Sequence, residues 1–334
     1  MTHAHDQIPL VAVGCGRIFE MAHVPALRES TDFEVTGLVD PSDERLALMR
    51  AEFPGAVRAA RHLADLDVEG AVVLIAMPST MRLEVAAAAL KAGAAGLFVE
   101  KPLGHDAQTA RRMRDLATSH RRPLLPVHNH LHEESFAQAV AMAGGGALGR
   151  ISGIRLVHHM TEPFHGVWFE APDWRIRSVM GCVDDLGYHG LYLAREIAGC
   201  PAEPVGPQPF VSLGRSGTVD EARIELGHHN GVRTTVEVSW TADRPLHELT
   251  ITGAEGRVTA RNDGTLVSSV RGHEQTYSLE AGLGPMYTKW YRYAADRLRQ
   301  GTCDESLRVA CEVSRTLDHL HGISRRAQEE QTNG

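Results

Sequence analysis

A chain of 334 residues with 43% apolar and 23% charged residues has an ordinary globular composition and enough length for two domains with separate cores. The 34 Lys and Arg against 42 Asp and Glu give a net charge of -8, with no basic stripe interleaved with aromatics, which argues against nucleic acid as a partner. Five cysteines without a CxxC pair, no export-type leader and no long apolar run together predict a cytoplasmic protein that does not engage a membrane.

Short apolar runs alternate with helical patterns from the start: strand Ile8–Val13, a helix through Ala26, strand Phe33–Val39, a helix over 42–52. A strand over 72–76, an Ala-rich helix over 83–92, a strand over 96–100, a helix over 106–119 and a strand over 123–127 continue the rhythm. Continuous apolar strands separated by helices predict an α/β doubly wound parallel sheet of the Rossmann type, placed at residues 1–127. The rhythm then changes. A helix over 133–142 ends in Gly144-Gly145-Gly146, followed by strand-like segments at 151–159, 210–215, 221–228, 232–240, 248–252, 257–260, 265–270 and 275–279. Turn pairs such as Asn230-Gly231 and Asp263-Gly264 mark hairpins, so residues 128–334 are expected to form an α+β domain with a large, mainly antiparallel open sheet. Helices are expected over 182–197, 285–300 and 306–327. A sheet with one face uncovered by helices tends to find a partner, which predicts a homodimer or homotetramer.

Directly after the first strand stand Gly14-Cys15-Gly16-Arg17-Ile18-Phe19. The first glycine allows a tight turn and the second lets backbone approach a pyrophosphate, while the helix that follows offers unpaired N–H groups to the anion. Phe19 occupies the third glycine position, which predicts looser helix–strand packing there. Asp40 closes the second strand 21 residues beyond Phe19, where a carboxylate accepts hydrogen bonds from the adenosine ribose. A lone Gly-x-Gly is common in plain turns, but strand, loop, helix and spaced acid together favour a dinucleotide, NAD before NADP. Arg45 nearby is the one feature that tolerates a 2′-phosphate.

At the end of the fifth predicted strand comes Glu100-Lys101-Pro102. The carboxyl end of a strand in an open α/β sheet faces the ligand crevice, so Lys101 is aimed at nicotinamide and substrate, where a cation stabilises a developing alkoxide. Later, Gly181-Cys182-Val183-Asp184-Asp185-Leu186-Gly187-Tyr188-His189 places Asp185 and His189 four apart, on one face of a helix. The two side chains are close enough to form a hydrogen-bonded dyad, although by itself such a pair is more often a surface contact or a helix-cap feature. These features, with Ile251-Thr252-Gly253-Ala254-Glu255-Gly256, fall in an order that resembles the Gfo/Idh/MocA family of sugar and cyclitol dehydrogenases.

The resemblance implies oxidation of one secondary alcohol of a sugar, amino sugar, nucleotide sugar or cyclitol, or reduction of the ketone. It implies Lys101, Asp185 and His189 as catalytic groups. The cofactor contacts would be Gly14, Cys15, Gly16, Arg17, Ile18, Asp40, Pro78, Glu100 and Lys101. Substrate contacts would be Lys101, His128, Asn129, His130, Trp174, Arg175, Asp185 and His189. His128-Asn129-His130 and Arg82 depart from the usual family pattern. The alternating His128, His130 and His132 are read as substrate-binding or structural residues, with no metal expected. The alternatives are a redox-neutral eliminase or glycosidase that retains NAD, and a sensor of nucleotide or sugar on the same fold. Trp168, Trp174, Tyr188 and Trp290 are candidate stacking residues.

Overall fold

A computed structural model describes residues 7–161, 180–211, 218–301 and 305–333. The chain divides into two compact units, Met1–His132 with Leu283–Cys311, and Glu133–Gly282 with Glu312–Gly334.

The first unit is built on β1 (Ile8–Val13), α1 (Val24–Arg28), β2 (Phe33–Val39), α2 (Asp43–Ala51), β3 (Arg58–Ala60), β4 (Val72–Ile75), α3 (Arg82–Lys91), β5 (Gly96–Val99), α4 (Ala107–His120) and β6 (Leu124–Pro126). All strands are parallel, in the order β3-β2-β1-β4-β5-β6, so the chain reverses direction of travel between β1 and β4. That switch point is where an open sheet binds its ligand. β4, β5 and β6 are buried at every position, which explains their unbroken apolar sequence. Ser42 and Asp106 cap α2 and α4 by accepting from the Arg45 and Thr109 amides. β3 escapes the sequence pattern because it is three residues long and largely exposed.

The second unit begins with α5 (Glu134–Gly144) and β7 (Ile151–His159), then α6 (Tyr188–Ala198), β8 (Ala202–Pro204), β9 (Phe210–Val211), β10 (Glu221–His228), β11 (Arg233–Ser239), β12 (Leu246–Gly253), β13 (Gly256–Arg261), β14 (Thr265–Val270) and β15 (His273–Ser278). Among the described residues they form one sheet ordered β15-β14-β13-β12-β7-β11-β10-β8, with β9 beside β10. Only the β7–β11 pair among these is parallel. Burial alternates along much of these strands: Ile154, Leu156, Val236, Val238, Leu249, Ile251 and Val258 are buried, with Val157 and Ser239 buried beside them, and Arg155, Glu237, Glu248 and Arg257 are among the residues between. Arg223 pairs with Glu237, Arg155 with Glu237 and Arg261 with Glu248 at 2.7, 2.7 and 2.8 Å. The second face of this sheet is therefore a grid of opposite charges. Residues 212–217, which include four of the six positions of the strand expected at 210–215, lie outside the described residues.

Two helices follow, α7 (Leu283–Gln300) and α8 (Glu305–Asn333). The sequence places α7 in the second domain, but it returns to the first unit. Its Met286, Tyr287, Trp290, Tyr291, Ala294 and Ala295 join Leu10, Ala12, Phe33, Leu74 and Phe98 in one core on one side of the parallel sheet. The opposite side is covered by α3, α4 and Leu307, Ala310 and Cys311. Trp290 is thus a core residue, with its ring 5.0 Å from Phe98, and not a platform for substrate. No helix among the described residues is long and apolar enough to cross a membrane.

Candidate active site

The loop after β1 is shaped for close approach. Gly14 has φ +95°, and a Cβ there would lie 2.4 Å from the Ala76 carbonyl oxygen, so only glycine fits between the ends of β1 and β4. At Gly16 a Cβ would meet nothing within 4 Å, leaving open space over the backbone where the helix starts, with the Glu20 amide donating to the Gly16 carbonyl at 3.1 Å. Asp40 sits at the end of β2 as expected, and its two carboxylate oxygens accept from the Cys15 and Ser42 amides at 2.8 and 2.9 Å. Asp40 therefore ties the loop to the second strand, while a carboxylate has further lone pairs for a ribose hydroxyl. Arg45 is held by the Cys15 carbonyl at 2.8 Å and by Glu20 at 2.9 Å. The Cys15 thiol is buried, and burial, helped by Asp40, pushes its pKa up to about 12. This loop, the open space at Gly16 and the placed carboxylate fit a dinucleotide.

Phe19 overturns the expectation of loose packing. It is fully buried, within 6.3 Å of the Phe53 ring and 6.1 Å of His23. The helix accommodates this bulk by opening as a π turn over Phe19–His23 before α1.

Lys101 stands just past β5, at the carboxyl edge of the sheet, and its peptide bond to Pro102 is cis. Pro78 lies exposed just past the neighbouring β4. The backbone around Lys101 is gripped by Arg82 at the start of α3. That guanidinium donates to the Met77 carbonyl at 2.7 Å, to the Lys101 carbonyl at 3.3 Å, and to the carbonyls of Glu100 and Pro102. Glu100 faces inward. It accepts from Tyr287 at 3.0 Å and from the Lys101 amide at 3.0 Å, and it meets His23 Nε2 at 3.1 Å. His23 Nδ1 in turn meets the Tyr291 hydroxyl at 2.7 Å. Burial works to raise the Glu100 pKa, but the His23 contact and the charges of Lys101 and Arg82 hold it below the ordinary carboxylate value. Burial and the Glu100 charge push Tyr291 well above its ordinary value. Glu100, expected at the cofactor, is 4% exposed and anchors the turn that presents Lys101. Nothing in the local sequence singles out His23, Tyr287 or Tyr291, and Arg82 stands there only as a departure from the family pattern.

His128, Asn129 and His130 follow β6, as expected, and are buried, the last two in a 3-10 turn, Asn129–His132. His132 rests 4.9 Å from the Tyr293 ring, and burial lowers its pKa to about 4.

In the second unit the glycine-rich segment starts at Gly181, with φ +44° and a hypothetical Cβ 2.3 Å from the Val219 carbonyl. The Cys182 amide donates to that same carbonyl at 2.9 Å, pinning the segment at its start. The chain then runs through a π turn, Val183–Gly187, directly into α6. The expected single helix is thus two, and the wide turn carries Asp185; π turns recur at functional sites. Asp185 and His189 are 7% and 5% exposed. His189 Nδ1 meets the Tyr192 hydroxyl at 3.1 Å. Its ring lies 6.0 Å from His158 on β7, which stacks on His247 of β12 at 4.0 Å and 9°. The sequence shows His158 and His247 only as two of 19 histidines; their cross-strand pairing is what brings them together. Tyr188, a candidate for stacking, is fully buried. Trp174 and Arg175, with Trp168, lie outside the described residues.

A parallel doubly wound unit with this phosphate loop, followed by an antiparallel α+β unit, defines an oxidoreductase on a dinucleotide-binding frame. The family models agree. Residues 8–128 match the oxidoreductase family with an NAD-binding Rossmann fold, GFO_IDH_MocA, and residues 136–259 match the GFO/IDH/MocA C-terminal domain, so the chain belongs to that family. Among solved structures, it is similar to levoglucosan dehydrogenase in complex with NADH and levoglucosan, with 17% identity over 94% of this chain and 96% of that one and a TM-score of 0.82. It is similar to KijD10, a 3-ketoreductase from Actinomadura kijaniata in complex with NADP and TDP-benzene, with 19% identity over 94% and 96% and a TM-score of 0.79. An oxidoreductase from Agrobacterium radiobacter in complex with NAD+, L-tartaric acid and magnesium gives 18% identity, 93% and 94% coverage and a TM-score of 0.79. At these identities the likeness is one of fold. No curated protein sequence matches the chain.

Proposed function

We propose that the protein is an NAD-dependent dehydrogenase acting on one secondary alcohol of a sugar, amino sugar, nucleotide sugar or cyclitol, or on the corresponding ketone in reverse. The observation that carries this reading is the Lys101 turn, fixed at the carboxyl edge of the nucleotide sheet by a buried polar network. NAD, when bound, supplies the hydride acceptor. Lys101 would donate a hydrogen bond to the reacting oxygen and stabilise the alkoxide as it forms. His189, with Nδ1 directed at Tyr192, would take the hydroxyl proton at Nε2, and Asp185 would orient ring and substrate. His128, Asn129 and His130, with Trp174 and Arg175, are proposed substrate contacts; Gly14, Cys15, Gly16, Arg17, Ile18, Asp40, Pro78, Glu100 and Lys101 are proposed cofactor contacts. A preference for NAD over NADP follows from Asp40, whose charge repels a 2′-phosphate, and from Arg45 being engaged elsewhere.

A cytoplasmic homodimer or homotetramer is also proposed. Its support is the charge grid on the second sheet, where Arg and Glu rows of one copy can meet those of another. A monomer by light scattering at micromolar concentration would contradict it. The function is tested by following absorbance at 340 nm with NAD and a panel of myo-inositol, levoglucosan, glucose, glucosamine and UDP-glucose. NADH formation with one compound supports a dehydrogenase and identifies its substrate class. Silence across the panel, with NAD bound tightly, favours the redox-neutral eliminase or the sensor.

A further inference from the structure

Asp184 directly precedes the proposed catalytic Asp185. One carboxylate oxygen meets Nε2 of His321, on the last helix, at 2.6 Å; the other accepts from the Met180 amide at 3.3 Å. The pair is largely shielded, with side-chain exposures of 17% and 14%. We propose that His321 is a positioning residue: through Asp184 it clamps the Met180–His189 segment, and its charge state sets how firmly Asp185 and His189 are held. The proposal rests on the reading of Asp185 and His189 as the catalytic pair.

The geometry gives the clamp its leverage. Met180 is also the acceptor for the Val183 amide at 2.9 Å, and the Asp185 amide donates to Gly181 at 3.2 Å. Asp184 thus grips the segment at both ends of its first turn. Gly181, in the left-handed region against the Val219 carbonyl, leaves that turn little freedom to settle elsewhere. A π turn has backbone hydrogen bonding less regular than an α-helix, so a side-chain strut from outside the segment carries a larger share of its order. A charged imidazole makes that strut a charge-assisted bond, roughly twice as strong as a neutral one.

The groups facing His321 are Asp184 from the π turn and, on its own helix, Asp318 and Arg325. Burial works to lower the His321 pKa and Arg325 opposes its charge, but the Asp184 contact and Asp318 outweigh them and raise it above its ordinary 6.5. The clamp is therefore complete below about pH 6.5 and is lost as pH rises through the raised folded value. Turnover by His189 runs the other way, since the base must be neutral to accept a proton. Together they produce a bell-shaped profile whose acid limb belongs to His189 and whose alkaline limb belongs to His321.

The test is amide hydrogen exchange of the peptide over 180–189 in the intact protein at pH 6 and pH 9, corrected for the intrinsic pH dependence of exchange. Wild type should lose about tenfold in protection at pH 9, the scale of a charge-assisted bond. His321→Gln, which keeps a neutral donor, should show the lower protection at both pH values. Asp184→Asn should match it, and the double variant should be no worse than either single one. Turnover on the panel compound that reduces NAD fastest should lose its alkaline limb in His321→Gln with KM for NAD unchanged. Equal wild-type protection at both pH values, or variants that melt earlier yet keep the wild-type pH response, would overturn the clamp. Full turnover in His189→Ala would instead overturn the catalytic reading and with it the positioning role. Exchange needs no substrate, so the two failures are separable.

Discussion

The two segments that carry the proposed chemistry are held in different ways. Lys101 is presented by buried charge and hydrogen bonds: Arg82 on three successive carbonyls, and Glu100 answered by His23 and Tyr287. Asp185 and His189 are presented by backbone shape, a left-handed glycine and a π turn, with one strut from outside the segment, the His321 imidazole on Asp184. A polar network fails abruptly when one member is removed, because the partners are left buried and unpaired. A backbone device fails through strain, and by smaller steps.

That contrast predicts the largest stability loss at Arg82. Arg82→Met strips donors from four carbonyls in a site 4% exposed and removes one of the charges that balance Glu100. A cost of about 3 kcal/mol or more, read by urea unfolding, is expected. A loss under about 0.5 kcal/mol, the range of an ordinary surface change, would mean the network does not hold the turn. Gly181→Ala forces a Cβ to 2.3 Å from the Val219 carbonyl; it should cost about 2 kcal/mol and lower turnover while leaving NAD affinity unchanged. Equal losses of NAD affinity and turnover would show that the two segments are not separately built.

Asp40→Asn keeps the loop contacts partly intact but removes the charge, so the NAD dissociation constant should rise about tenfold and NADP should gain ground. Unchanged discrimination, measured by fluorescence titration of both cofactors, would remove Asp40 from that role. The smallest expected effect is in acid. Glu100 has a folded pKa below its ordinary 4.5, so its contribution to stability is present above that pH and lost as pH falls through the folded value. Glu100→Gln should flatten the acid side of the stability curve below about pH 4.5. A parallel wild-type and variant curve there would show that Glu100 is not ionised in its network.

Much of the frame is legible in the sequence because buried parallel strands must be apolar throughout and hairpin strands must alternate. β7, β10 and β14 occupy the predicted ranges residue for residue. What stays hidden is long-range and side-chain specific. Tyr291 lies 268 residues from His23, and nothing in its local pattern distinguishes an α7 that covers the first sheet from one that belongs to the second. The π turns are equally silent, since Phe19–His23 and Val183–Gly187 carry ordinary helical periodicity. Arg82 shows the limit most clearly: as a motif it is a mismatch, and only the position of three carbonyls makes it a support.

In the proposed mechanism Lys101 and His189 act on the reacting oxygen of the substrate. This is tested most directly by measuring NADH formation at 340 nm for wild type, Lys101→Ala and His189→Ala beside NADH binding by fluorescence. Turnover should fall by about 100-fold or more in each variant while the NADH dissociation constant stays within about twofold. Turnover equal to wild type in either variant would contradict the account.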